Sequence, residues 1–518
     1  MKRVTLWLFL LCGISLAGQR QMTVQDLWDM KRIGEVALSP DGRALVYVQT
    51  SYNMDKNSGN ADLWIIPAQG GQPRQLTFMD KFDGSPRWHP DGSGIAFISS
   101  RSGSRQIHFL SLQGGEAVQI TRLPVDVDDF IYTPDGQGFA FATSVYPDAR
   151  DLQESAGRLQ ARSDAKVKAF SSERLLFRVF DHWTDGLRSH VFKCDGQGQQ
   201  VVDLTPGDFD TPPADLGGSR DFAFSPDGKE FAFVRNTDPV VALSTNNDIF
   251  LSRLDAAASK SLTAANRAND NQPLYSPDGR YLAYKAMRRP GFEADQYDLY
   301  VYDRTSAQSV NLTATWDLSV NETVWSPDSR SLYINADQQG RVSIFKIDLA
   351  DRNISELVHD HVNSNLLPAK DGKLYFKQQS VTHADEIFCF DPLSKTTKQL
   401  TQVNQSLLEQ LALQPAEDFW FTSFDGKKAH GLLLKPPFFD PAQKYPMLYV
   451  IHGGPQGMSA DNFHFRWNAS LFAAPGYVVA MVNFRGSTGY GQAWTDAVSK
   501  DWGGGPYKDL MAGVDYLV

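Results

Sequence analysis

One four-residue pattern constrains the fold of this chain more than any other feature. Ser39-Pro40-Asp41-Gly42 recurs as His89-Pro90-Asp91-Gly92, Thr133-Pro134-Asp135-Gly136, Ser225-Pro226-Asp227-Gly228, Ser276-Pro277-Asp278-Gly279 and Ser326-Pro327-Asp328-Ser329, with a degenerate copy at Ala369-Lys370-Asp371-Gly372. Proline presets φ, aspartate bonds back to its own backbone and glycine accepts a positive φ, so each copy is a turn. A short apolar run follows each one, as in Ala44-Leu45-Val46-Tyr47 and Phe231-Ala232-Phe233-Val234, so the turn joins two strands of a hairpin. A second signal closes each unit: Leu76-Thr77, Ile120-Thr121, Leu204-Thr205, Leu262-Thr263, Leu312-Thr313, Leu357-Val358 and Leu400-Thr401. Middle strands such as Asp62-Leu63-Trp64-Ile65-Ile66 lie between. Four strands in ~40–50 residues is the pattern of a propeller blade. Seven turns pair with seven closures, which predicts about seven blades over residues 22–410. Two stacked β-sandwiches would not need so regular a period.

The interval between the third and fourth turns is roughly twice the others, yet it holds a single closing signal. It therefore reads as one blade with an insertion at about 146–175, polar, charged and helical. After Thr401 the pattern changes. Phe419 to Phe424, the turn Asp425-Gly426 and His430 to Leu434 read as a hairpin. Tyr445 to His452 is a continuous apolar run, Phe463 to Ala474 has helical spacing, and Tyr477 to Asn483 is another buried strand. Tyr507 to Leu517 is amphipathic, with Leu510, Met511, Val514 and Leu517 on one face. Strands alternating with helices predict an α/β domain with a largely parallel sheet, beginning near residue 411.

The net charge of −10 gives no footprint for nucleic acid. Lys2-Arg3, the apolar run Val4 to Leu11 and Ser15-Leu16-Ala17 read as a signal peptide over 1–18, which places the protein in the periplasm or outside the cell. No later stretch approaches ~20 continuous apolar residues, so no membrane association is expected once the signal is removed. Cys194 and Cys389 then remain, and sequence leaves their pairing open. His359-Asp360-His361 lacks the further ligands a metal needs, and neither metal nor cofactor is expected.

Chemistry concentrates at Val450-Ile451-His452-Gly453-Gly454-Pro455, an apolar strand running into a glycine loop. Bare backbone N–H groups at such a strand end can stabilise a developing oxyanion. His452-Gly453-Gly454-Pro455-Gln456-Gly457, then Asn483-Phe484-Arg485-Gly486-Ser487-Thr488-Gly489-Tyr490-Gly491, then Asp501-Trp502-Gly503-Gly504 before Tyr507-Lys508-Asp509-Leu510, resemble in order the loops of the prolyl oligopeptidase family, in its acylaminoacyl peptidase and dipeptidyl-peptidase 5 branch. The resemblance implies a β-propeller followed by the N-terminal part of an α/β-hydrolase domain. It implies a serine peptidase that cleaves short peptides through an acyl-enzyme. It also implies that the Gly454 N–H is half of the oxyanion hole, with His452, Gly453 and Pro455 shaping the active-site loop.

Arg485 reads as a structural ion-pair partner. Ser487 sits in the nearest imitation of a Gly-x-Ser-x-Gly elbow, but Arg485 occupies its first position and no helix follows directly. The triad Ser, Asp and His are expected beyond Val518, so these 518 residues alone should be inactive. His452 is not the general base, because the triad histidine of this fold comes last. A dipeptidyl peptidase also needs an anion for the substrate's α-amine. Glu154, Glu173, Asp181 and Asp185, in or beside the blade insertion, are candidates by charge. A non-catalytic propeller binding module and an esterase or amidase on the same fold are the competing readings. A homo-oligomer is compatible with the sequence.

Overall fold

A computed structural model describes residues 18–169, 178–179, 182–183, 185–255 and 258–518. The turn tetrads do what their residue types dictate. The hydroxyl of Ser39, Thr133, Ser225, Ser276 or Ser326 donates to the aspartate two residues on at 2.6 Å in every case. The N–H of the fourth residue donates back to the first carbonyl at 2.8–3.0 Å. Each turn joins the first and second strands of one unit of four antiparallel strands.

The closing threonines also have a physical task. Thr77, Thr121, Thr205, Thr263, Thr313 and Thr401 each accept the backbone N–H of the third-strand residue 14 positions earlier, at 2.8–3.0 Å. The hydroxyl thereby replaces a ladder bond that the short outer strand does not reach. Blade 6 has Val358 there instead, and that residue pairs with Ile344. Among the described residues, seven such four-stranded units follow one another, over 32–75, 83–119, 129–203, 222–261, 270–311, 323–358 and 362–399, the last two joined into one sheet by a parallel pairing of Val342 with Val362. Their apolar faces pack on the next blade; Phe222, Phe231 and Phe233 of blade 4, for instance, pack on Ala140, Ala142 and Val191 of blade 3.

The third blade carries the insertion between its second and third strands. Helix α1 (Leu152–Asp164) is capped by Asp151, whose carboxylate accepts Glu154 N–H at 2.8 Å. Beyond it Arg178–Val179 and His182–Trp183 form a short antiparallel pair. Cys194 of blade 3 and Cys389 of blade 7 are both buried free thiols.

Blades 1 and 7 each draw all four strands from their own stretch of chain, so the ring closes through side chains. Ile33, Leu45 and Tyr47 pack against Tyr375, Ile387 and Leu400. Two asparagines staple the seam: Asn365 holds both backbone groups of Val36 at 2.9 and 3.1 Å, and Asn404 holds both of Lys31 at 2.8 Å. Asn404→Leu should cost about 1–3 kcal/mol, because it strands two backbone groups beside a buried side chain. Urea titration of the purified polypeptide measures this, and an unchanged midpoint would refute the staple.

The C-terminal part forms a four-stranded sheet from β1 (Glu417–Thr422), β2 (Lys428–Leu434), β3 (Met447–Val450) and β4 (Val478–Asn483), in the order β1-β2-β4-β3. Asp425-Gly426 turns β1 into β2 as expected. The expected largely parallel sheet is corrected within these residues, since only β3 and β4 run parallel. The expected helix over 463–474 is corrected too, because α2 covers only Ala469–Ala473. Upstream of it His464 accepts the N–H groups of Arg466 and Trp467, and Asn468 caps the helix through Leu471 N–H. The apolar spacing there arises because Phe463 and Phe465 pack on Met22, Leu27 and Leu411 beside the propeller. Helices α3 (Gln492–Asp496) and α4 (Gly505–Leu517) complete the element order. Met511 is exposed on α4, against expectation; the helix buries Asp509 and Gly513 and packs Leu510 and Leu517 on β1 and β4.

Candidate active site

The parallel pair β3 and β4 delivers two loops to the same edge of the sheet, at the carboxyl ends of the strands. In open α/β sheets that edge is where ligands bind. The first loop, residues 451–458, contains the glycines; the second runs over 484–491.

Three sets of bonds fasten the first loop to the second. At its start, His452 stacks on Phe484 with ring centroids 4.5 Å apart and planes 15° apart, and its Nε2 lies 2.8 Å from Ser487 Oγ. In its middle, Thr488 N–H donates to Gly457 O at 2.9 Å. At its end, the Asn483 amide holds both backbone groups of Ser459 at 2.8 and 3.0 Å. Gly453 and Gly454 lie between these fastenings and remain exposed.

Gly454 adopts φ +131°, and a Cβ built there would stand 2.7 Å from the Gln456 nitrogen. Only glycine adopts that backbone without strain. Among the described residues, no acceptor takes the Gly454 N–H. Gly454 lines a cleft of about 390 Å³ that the propeller closes from the other side. Gly454, Gln456 and Gly489 line one wall, and Glu293, Asp317 and Asp337 line the other. Asp295 also lies there, but Arg289 pairs with it.

The cleft holds its shape through contacts between the two parts of the chain. Arg289 of blade 5 makes a bidentate pair with Asp496 of α3 at 2.8 Å for both bonds. Asp317 accepts Gln492 N–H at 2.9 Å, and Asp337 accepts the Thr488 hydroxyl at 2.5 Å. His361 contacts Asp461 at 2.6 Å, whereas His359 pairs with Glu356, so the two histidines of the His-Asp-His run diverge.

The acidic candidates of the blade insertion are placed otherwise. Glu154 is held between Arg150 and Arg158 at 2.7 and 2.5 Å, and these guanidiniums hold its carboxyl down at about 2. Asp185 pairs with Arg162. Neither lines the Gly454 cleft. Glu173 and Asp181 lie outside the described residues. Asp317 and Asp337 were not legible as site residues, since Asp337 meets Thr488 across 151 positions of sequence.

Arg485 makes the ion pair expected of it. Its Nε and Nη2 donate to Asp509 at 2.8 Å, and Nη1 and Nη2 reach Asp425 at 3.2 Å. Ser487 is fully buried, and among the described residues its partner His452 contacts no carboxylate. That is poor geometry for a nucleophile, which needs access to substrate and an oriented base.

Comparison with known proteins fits this arrangement. The family model described as TolB beta propeller domain matches residues 16–157 and 223–416, and the one described as Prolyl oligopeptidase family matches residues 463–518. The chain belongs to the prolyl oligopeptidase family. It is therefore a serine-type peptidase by family. Dipeptidyl-peptidase 5 of Porphyromonas gingivalis is 28% identical over 514 residues, covering 96% of this chain and 72% of that protein. Dipeptidyl-peptidase 5 of Schizosaccharomyces pombe is 24% identical over 531 residues, covering 98% and 74%. Among solved structures, an acylaminoacyl peptidase in complex with Z-Gly-Gly-Phe-chloromethyl ketone superposes with TM-score 0.77 at 18% identity, covering 96% of this chain and 72% of that one. A prolyl oligopeptidase family member thus places its glycine loop under the rim of a seven-bladed propeller.

Proposed function

We propose that this protein is an exported serine peptidase that releases dipeptides from the free N-termini of short peptides through an acyl-enzyme. The observation that carries the reading is the unpartnered Gly454 N–H, held at the edge of a cleft that the propeller roofs. Such a donor can bind the oxygen that becomes negative as a nucleophile adds to a carbonyl. Gly453 leaves the approach free of side-chain bulk, because nothing lies within 4 Å of the Cβ it lacks. The propeller wall limits the depth available to substrate, which favours short peptides over folded proteins.

The charge of the cleft supports a free α-amine over a blocked one. Its lining includes Glu293, Asp317 and Asp337 and, among the described residues, neither lysine nor arginine. An ammonium placed there meets carboxylates without a competing cation. Export rests on Lys2-Arg3 and the apolar run after them. No helix among the described residues is long and apolar enough to cross a membrane.

The test is a pair of chromogenic dipeptides differing only in N-acetylation, assayed with the gene product at full length. The free amine should be cleaved at least tenfold faster, and a preference for the acetylated substrate would move the reading to an acylaminoacyl peptidase. The polypeptide of residues 1–518 alone should neither cleave these substrates nor react with a fluorophosphonate, because the two described serines that contact a histidine, Ser487 beside His452 and Ser343 beside His359, are both fully buried. Fluorophosphonate labelling of Ser487, read by peptide mass mapping, would overturn that statement.

A further inference from the structure

Ser487 and His452 do more than fasten two loops. The His452 ring has two polar neighbours. Nδ1 lies 3.0 Å from the Gly453 carbonyl oxygen and Nε2 lies 2.8 Å from Ser487 Oγ. A carbonyl oxygen only accepts, so a bare Nδ1 would oppose two lone pairs; Nδ1 therefore carries the proton. Nε2 is then free to accept, and the Ser487 hydroxyl donates to it. The alternative, a proton on both nitrogens, places an imidazolium in a desolvated position. Burial holds the His452 pKa below its ordinary value, so the neutral ring prevails. Ser487 is 0% exposed, and its hydroxyl has no other acceptor among the described residues.

The direction of this chain matters at its far end. The Gly453–Gly454 peptide is trans, since among the described residues only Thr211-Pro212 and Gly454-Pro455 are cis. In a trans peptide the C=O and the N–H point opposite ways. Drawing the Gly453 carbonyl onto Nδ1–H therefore turns the Gly454 N–H away from the histidine, on a residue that lines the cleft. Each bond also polarises the next, because donor and acceptor alternate without interruption from the Ser487 hydroxyl to the Gly454 N–H.

We propose that Ser487 and His452 are positioning residues of the oxyanion donor, Ser487 fixing the Nδ1–H tautomer of His452 and His452 aiming and polarising the Gly454 N–H through the Gly453 carbonyl. The inference rests on the peptidase reading only for its catalytic consequence. The hydrogen-bond chain is testable without turnover.

The experiment uses two readouts. Nitrogen-15 NMR of histidine-labelled residues 1–518, with the His452 signals assigned by their absence from His452→Gln, reports which ring nitrogen is protonated. The wild type should show a protonated Nδ1 and a bare Nε2. Ser487→Ala, nearly isosteric, should lose the single tautomer, and Ser487→Cys, with a weaker donor, should fall between. In the full-length gene product, Ser487→Ala should lower kcat roughly tenfold with KM changed less than about twofold, a smaller loss than removal of a whole oxyanion donor. Binding of a boronate that forms a tetrahedral adduct should weaken in proportion to kcat, while a ground-state product dipeptide should bind unchanged. A merely structural role would shift the melting temperature without separating the two ligands.

A wild type protonated at Nε2 overturns the proposal, as does Ser487→Ala with the tautomer intact, or with the tautomer lost and kcat unchanged. If Ser487→Ala does not fold, Ser487→Cys carries the same comparison. A full-length wild type that hydrolyses no peptide overturns the peptidase reading alone, because the tautomer measurement still decides the chain of bonds.

Discussion

Gly454→Val in the full-length gene product should lower kcat for a dipeptidyl substrate by two to three orders of magnitude, the scale of losing one oxyanion donor. The cause is backbone geometry. Gly454 sits at φ +131°, and a Cβ there would press to 2.7 Å against the Gln456 nitrogen. The loop is fastened on both sides, at Ser487 and at Thr488, so it cannot relieve that strain by moving as a body. The peptide must instead rotate, and its N–H changes direction. Gly453→Ala is the control. Its Cβ meets nothing within 4 Å, so it should retain most activity. Steady-state kinetics with a melting curve for each variant checks both. Equal losses at the two glycines would show that the loop tolerates no side chain anywhere, and would remove the special role of Gly454.

Asp509→Ala should destabilise the C-terminal sheet by about 3–5 kcal/mol, the cost of breaking a buried ion pair, because Arg485 then keeps only its longer bonds to Asp425. Arg485 is 7% exposed and Asp509 0% exposed. Asp509 accepts the Arg485 backbone N–H as well as the guanidinium, and its other oxygen accepts the Ser423 hydroxyl at 2.5 Å. One carboxylate therefore ties α4 to the 484–491 loop and to the β1–β2 turn. Asp509→Asn should lose less, since the amide keeps an acceptor. The pair Arg485→Met with Asp509→Leu should recover much of the loss, because it removes both charges together. Thermal unfolding followed by near-ultraviolet circular dichroism measures all three. A double variant no better than Asp509→Ala would show that shape rather than charge decides the site.

The same cluster sets a pH dependence. Arg485 holds the Asp425 carboxyl below its ordinary range, mainly through their hydrogen bond. A carboxylate whose folded pKa is lowered adds stability above its unfolded pKa and loses it as pH falls through the folded one. The stabilisation should fade only in acid, below pH ~4.

Much of the fold was legible because it is written in short-range chemistry. A tetrad turn closes on itself within four residues, as the bond from the Gly42 N–H to the Ser39 carbonyl shows. The closing threonines act 14 residues away, still within one hairpin. Periodicity and turn residues therefore reported blades, their order and the change of pattern after Thr401. The helix expected over 463–474 failed for a related reason. Apolar spacing records that side chains are buried, not which surface buries them, and Phe463 and Phe465 are covered by the N-terminal segment of the chain. Met511 failed likewise, since an amphipathic helix has two candidate faces and Tyr449, Phe421 and Val482 select the one carrying Gly513.

At the site, sequence alone determined the glycine loop and the residue types able to offer a bare N–H at a strand end. It also determined that Arg485 wanted a carboxylate. Only the tertiary structure decided which partners meet. Ser487 finds His452 across 35 positions, Asp337 finds Thr488 across 151 and Asn365 finds Val36 across 329. The reason is physical: a hydrogen bond acts over about 3 Å in space, and a repeat or an apolar period carries no record of which loops the folded sheets will bring that close.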